Sequence, residues 1–236
     1  MTDERRPLTE AEIRAAHVGE PTRLAGRIHL AEYDLCWPTL FEREAARIRA
    51  ALGDRVVSLE HAGSTSVPGL AAKPIIDVLL VLADTADESG YVPVLEAAGY
   101  RLVIREPDWY EHRVFKGPDT DVNLHVLPAV AGSPEIKRML AFRDRLRSND
   151  DERALYERTK RELAARDWQF VQNYADAKTA VVEAIIAPTS AMAVRVSAGD
   201  YAAVPIVAVA GGVLASIVPA RRAAAVDPSL AFGGGK

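Results

Sequence analysis

Apolar positions recur along this chain in two rhythms, one of three to four residues and one of two. In "PTLFEREAARIRAALG", Leu40, Phe41, Ala45, Ile48 and Leu52 share one helical face, with Pro38 near the start and Gly53 as the C-cap. "RVVSLEHAG" reads as a strand that ends at a Gly-Ser turn. Residues 75–82, "IIDVLLVL", are apolar without alternation, which predicts a strand covered on both faces. "GYVPVLEAAGY" predicts a helix ending at Gly99, and "RLVIRE", "HRVFKG" and "TDVNLHVLP" predict three strands of one sheet. "SPEIKRMLAFRDRLRSN" and "DDERALYERTKRELAARD" follow as helices, and a last helix runs through "YADAKTAVVEAIIA". Upstream, the Thr9/Glu12 spacing of a capping box opens a helix over residues 9–17, and "AGRIHLAEYD" predicts a short strand and turn. The sum is an α/β chain: a mixed sheet flanked by helices.

Composition divides the chain. Residues 1 to about 188 mix charges, aromatics and apolar groups, whereas Tyr201 to Ala220 contains no charged residue. The expected organisation is an N-terminal helical extension (1–27), a main domain (28–188) and an apolar Ala/Gly/Val-rich tail (189–236). The 29 basic and 33 acidic residues nearly balance, so the total charge marks no nucleic-acid surface. Cys36 is alone and no Cys/His spacing resembles a zinc site. The charged N-terminus lacks the apolar stretch of a secretory signal, so a cytoplasmic chain is expected.

Chemistry concentrates in "EHAGSTSVPGLAAKPIIDVLLVL", residues 60–82. Gly63-Ser64 follows a strand, and such a turn either lies on the surface or aims backbone N–H groups and a hydroxyl at a phosphate. It is neither a Walker A loop, since Lys73 precedes Pro74, nor a G-x-S-x-G elbow. Asp77 interrupts an apolar strand, so it is either paired, with Lys73 at hand, or a divalent-metal ligand at a cleft. At period two Asp121, Asn123 and His125 share one face, which makes a solvent-facing edge or the wall of a site. "EPDWYEHRVFKG" gathers Glu111, His112 and Arg113 near two aromatics, a solvated loop or a place to recognise a phosphate or a base. Tyr174 and Lys178 stand four apart, on one helical face.

Together, "EHAGSTSVPGLAAKPIIDVLLVL", "EPDWYEHRVFKGPDTDVNLHV" and "NYADAK" resemble the GrpB family of nucleotidyltransferase-like proteins, from about Ile28 to Ile186. The resemblance implies the nucleotidyltransferase fold of the DNA polymerase β superfamily, and related domains occur fused to dephospho-CoA kinase. In that superfamily the Gly-Ser turn contacts a triphosphate, and carboxylates on neighbouring strands bind the metal ions that support attack on the α-phosphate. Gly63 and Ser64 match the turn, and Asp77 matches the first carboxylate. The implied Mg²⁺ site is Asp77 with Asp121 and His125. Lys73, Arg113 and Lys178 would counter phosphate charge, and Glu111, His112, Asn123 and Tyr174 would complete the cleft. The second acidic residue of active members, two positions after the first, is replaced by Leu79.

The expected activity is metal-dependent transfer of a nucleotidyl group from a nucleoside triphosphate to an acceptor. The alternatives are a non-catalytic nucleotide- or phosphometabolite-binding module and a membrane-tethered accessory protein. The last rests on the tail: residues 201–220 are long enough to span a bilayer. "ASIVPARRAAAVDPSLAF" resembles the end of FtsX/MacB-type ABC transporter permeases. Arg221-Arg222 would then face the cytoplasm and put the main domain on the opposite side, in conflict with a nucleotide-dependent role.

Overall fold

The computed structural model describes residues 7–21, 23–24 and 27–187. The tail and the boundary expected near Pro188 lie outside them. Among the described residues no helix is long and apolar enough to cross a membrane.

Local signals place most elements. The Thr9 hydroxyl accepts from the Glu12 N–H at 3.3 Å, and the Glu12 carboxylate accepts from the Thr9 N–H at 2.8 Å. This reciprocal cap starts helix α1 (Glu10–Ala16). Helix α2 (Trp37–Leu52) buries the stripe Trp37, Phe41, Ala45, Ile48 and Leu52, and Gly53 ends it with φ 57°. Strands β1 (Val56–Ala62) and β2 (Ile76–Leu82) follow, then helix α3 (Val92–Ala97). Next come strands β3 (Arg101–Glu106), β4 (His112–Lys116) and β5 (Val122–Pro128), and helices α4 (Pro134–Ser148) and α5 (Asp150–Ala164).

Two expectations change. Among its described residues, "AGRIHLAEYD" forms no strand; its pairing there is one antiparallel bridge, Ala31 to Ala72. The single last helix is two, α6 (Val171–Asp176) and α7 (Thr179–Ile186), separated at Ala177-Lys178. The break leaves Lys178 at the N-cap of α7 instead of inside a continuous helix.

The five strands make one mixed sheet in the order β1-β2-β5-β4-β3. Only β2 and β5 are parallel, with Asp77 opposite Asn123 and Leu79 opposite His125. One sheet face carries Val78, Leu80, Leu124, Val126 and Phe115 and packs on α2 and α3 as the main core. The other face carries Ala62, Leu79, Val81 and Leu127 under Ile136, Met139 and Leu140 of α4. Both faces of β2 are therefore covered, as its unbroken apolar pattern predicts, and each fully buried leucine or isoleucine contributes roughly 1.5–3 kcal/mol. On the α4 side of the sheet, Asp77, Asn123 and His125 line a cleft instead of joining that apolar cluster. That cleft is the site.

Candidate functional site

Antiparallel pairing of β1 with β2 sets Ala62 opposite Asp77, so the turn that follows Ala62 lands against the aspartate. Gly63 adopts φ 65°, and a Cβ there would lie 2.1 Å from Asp77 Oδ2. Only glycine permits both the backbone conformation and the contact. A 3₁₀ turn over Ser64–Ser66 follows, and its bonds fix it from several sides. Ser66 Oγ donates to the Gly63 carbonyl at 2.6 Å, Thr65 Oγ1 donates to the Ile75 carbonyl at 3.0 Å, and Arg147 donates to the Ser66 carbonyl at 2.8 Å.

Gly63→Ala is therefore expected to destabilise the fold by about 2–4 kcal/mol, adding left-handed backbone strain to an overpacked contact. Urea titration measures it. Asp77→Ala in the same chain should return part of the loss, because the contacts at 2.1 Å with Oδ2 and 2.8 Å with Cγ vanish while one at 2.8 Å with Cβ stays. Strict additivity of the two changes would refute the contact.

Asp77 Oδ1 accepts from Asn123 Nδ2 at 2.8 Å, and His125 Nε2 stands 3.8 Å from the same oxygen. Burial pushes the Asp77 carboxyl up, but His125, Asn123 and Lys178 outweigh it and hold it below the usual carboxylate range. Behind His125 lies a polar chain: His125 Nδ1 to His112 Nε2 at 3.0 Å, then His112 Nδ1 to Glu106 at 2.7 Å. For His125 to hold the Asp77 carboxyl down, its Nε2–H must face the carboxylate, so its Nδ1 is the acceptor in the contact with His112 Nε2.

The turn, Asp77, Asn123 and His125 open into a cleft of about 450 Å³, closed on the other side by α5, α6 and Lys178. Its positive charge comes mostly from lysines: Lys73, Lys116, Lys160 and Lys178 all line it, with Arg101 beside them. Lys160 had no place in the sequence reading. It is 2% exposed, sits 4.8 Å over the Tyr156 ring and donates to the Ala71 carbonyl. Burial, and after it Lys178, pushes the Lys160 amine down to about 7. Lys73 is likewise lowered, by burial and then by Lys178 and Lys116. The sequence does carry a signal for Lys160: it shares the buried stripe of α5 with Tyr156, Leu163 and Ala164. A lysine inside an apolar stripe needs a reason to be there.

Gly63, Ser64, Lys73, Asp77, Asn123, His125, Tyr174 and Lys178 of the sequence-derived set line the cleft, and four others do not. Arg113 is on the opposite sheet face, where its guanidinium donates to Glu88 at 2.6 Å and to the His112 carbonyl at 3.1 Å. Its alternation with His112 along β4 turns it toward the main core. Asp121 precedes β5, is 59% exposed and pairs with Lys116 at 3.5 Å. Glu111 sits in a left-handed turn after Tyr110, and its carbonyl accepts from Thr85 Oγ1 at 2.9 Å. His112 is buried behind His125.

These placements bear on the implied Mg²⁺. Among the described residues no three His, Cys, Asp or Glu side chains converge as metal ligands would. Leu79, in the position of the second carboxylate, is 0% exposed beneath α4. One carboxylate, hydrogen-bonded by Asn123 and ringed by lysines, does not supply the anionic ligands of a two-metal site.

Residues 27–187 match the family described as GrpB protein. The chain is 58% identical over 180 residues to a UPF0157 protein of Halalkalibacterium halodurans, covering 76% of this chain and 91% of that one. It is 28% identical to dephospho-CoA kinase of Mycolicibacterium paratuberculosis, over 59% of this chain and 40% of the relative. The crystal structure of the conserved protein GrpB from Enterococcus faecalis superposes with a TM-score of 0.60 at 31% identity, covering 67% of this chain and 94% of that one. The family match stops at residue 187, so the likeness of the tail to permease ends gains nothing from it. A mixed five-stranded sheet, a Gly-Ser turn seated on Asp77 and this match over most of the sequence lead to one statement: the chain belongs to the GrpB family.

Proposed function

We propose that the cleft binds a nucleotide or another phosphorylated small molecule. The observation that carries this reading is the charge of the walls: four lysines face a space whose inner wall offers one carboxylate, Asp77, already engaged by Asn123 and His125. Burial first, and then the neighbouring ammonium groups, disfavour the charged form of Lys73 and Lys160, and a bound anion relieves that cost. The Gly63-Ser64 turn sits at the same end of the cleft. The likeness to part of a dephospho-CoA kinase makes ATP and dephospho-CoA the first ligands to try. Titration calorimetry of the full chain is expected to detect binding that weakens as salt rises. Lys178→Gln and Lys73→Gln should each weaken it by about tenfold, the equivalent of ~1.4 kcal/mol. Equal affinity in both variants would refute the reading.

A second reading is nucleotidyl transfer to an acceptor. It draws on the resemblance to the polymerase β superfamily and on Asp77 facing the turn. Mg²⁺-dependent release of pyrophosphate from a panel of nucleoside triphosphates, lost in Asp77→Ala, would support it. Binding without turnover would leave the binding module.

A further inference from the structure

We infer that the cleft takes a phosphomonoester as the metal-free dianion, its oxygens met by Lys73, Lys160, Lys178 and the hydroxyl of Tyr174. This rests on the reading of the cleft as a phosphate site and goes further, naming the form of the ligand and a donor that nothing else assigns. Tyr174 is 2% exposed on α6 and lines the cleft, yet among the described residues its hydroxyl has no hydrogen-bond partner. A buried hydroxyl left alone costs roughly 1–3 kcal/mol, which a ligand oxygen would recover. The ammonium of Lys178 sits 4.7 Å over the same ring, so the ring and a cation belong to one corner of the cleft.

The charge balance favours a bare anion. Lys116 is countered by Asp121, and Glu20, which also lines the cleft, is held by Arg14 at 2.7 Å. Lys73, Lys160, Lys178 and Arg101, which also lines the cleft, then face Asp77, with Lys160 only partly protonated near neutral pH. The excess is about two to three positive charges, enough to hold the charge of ~1.5–2 that a phosphomonoester carries at pH 7. A divalent cation would add to that excess. It would also have to displace Asn123 or His125 from the only carboxylate of the inner wall, whose other oxygen lies against Gly63.

The test is calorimetric titration of the full chain with AMP, ATP and inorganic phosphate, each in EDTA and again in excess Mg²⁺. AMP is expected to bind with the same affinity, within about twofold, in both, and ATP to bind more weakly when Mg²⁺ occupies its phosphates. Tyr174→Phe should weaken AMP by about tenfold, the yield of one hydrogen bond to a charged group. Because it removes an unpartnered group, its thermal unfolding should match or exceed that of the parent. Lys178→Gln provides a second variant at the surface of the same corner. Binding of AMP that requires Mg²⁺, or a Tyr174→Phe variant that binds as the parent does, overturns this inference and leaves the phosphate reading in place. No binding by any of the three anions in either buffer overturns both.

Discussion

Leu79→Asp, which puts an acidic residue back at the second position of the active superfamily pattern, is expected to destabilise the protein by more than about 4 kcal/mol. Leu79 is 0% exposed and belongs to the cluster with Ala62, Val81 and Leu127 beneath α4. Deleting a buried leucine side chain costs about 2–5 kcal/mol on its own. A carboxylate in its place would lie against Ile136, Met139 and Leu140 with His125, already turned to Asp77, as its cross-strand neighbour, and a buried charge so poorly compensated adds several kcal/mol more. Asp77 lies two residues earlier on the same strand face, so an ionised pair would also repel. Since domains of this size are stable by about 5–15 kcal/mol, the variant should be marginal or unfolded in urea titration. Leu79→Val, by contrast, should cost less than about 1.5 kcal/mol. A Leu79→Asp chain as stable as the parent and newly active in Mg²⁺-dependent pyrophosphate release would overturn the argument. The departure at position 79 is thus a commitment of the packing, not a lone exchange on an open wall.

The second large effect is a pH dependence carried by Lys160. Its amine is pushed from 10.5 to about 7 in the fold, chiefly by burial. Between those values the unfolded chain keeps the proton and the folded chain releases it. Stability therefore rises with pH across the window, by ~1.4 kcal/mol per pH unit from this group, and falls as pH drops toward 7. Lys160→Met keeps the length and the contact with Tyr156 but cannot titrate. It leaves the Ala71 carbonyl without this donor, a cost of roughly 1–3 kcal/mol that does not change with pH. The difference in unfolding free energy between parent and variant should shift by about 3 kcal/mol in the parent's favour from pH 7 to 9.5, read from urea titrations at each pH. Taking the difference cancels the groups the two chains share. A difference independent of pH would mean that Lys160 keeps its ordinary pKa. Lysine chemistry would then not distinguish this site.

Much of this molecule is written in local pattern. The Thr9/Glu12 cap, the apolar stripe that ends at Gly53 and the unbroken run of β2 each state their own structure, because 3.6- and 2-residue periods are properties of neighbouring side chains. The same period separates Asn123 and His125 from Val122, Leu124 and Val126, and it holds in the fold. Gly63, Ser64 and Asp77 could be picked out because glycine, serine and aspartate are conspicuous beside apolar strands. The break at Ala177-Lys178 was not legible, since helical residues run on through it without a proline or glycine.

What the pattern cannot state is which charged side chain meets which. Arg113 and Lys160 show this from opposite sides. Arg113 stood in a cluster that suggested phosphate recognition, but β4 turns it to the main core, where Glu88 waits. Lys160 stood in an ordinary helix, but the packing of α5 brings it to the cleft with Lys73 and Lys178. A strand's rhythm tells that its faces differ. It does not tell which face lies under a helix and which opens on a cavity, because that depends on neighbours distant in sequence. Here those neighbours follow from the parallel pairing of β2 with β5 across thirty-nine intervening positions, which sets Asp77 beside Asn123 and Leu79 beside His125. The sequence alone determined the elements, the family resemblance and the glycine-aspartate pair. Only the tertiary structure decided that the aspartate would be shared with Asn123 and His125, that Asp121 would stand outside, and that lysines would set the charge of the cleft, because burial and pairing energies belong to contacts made across the chain.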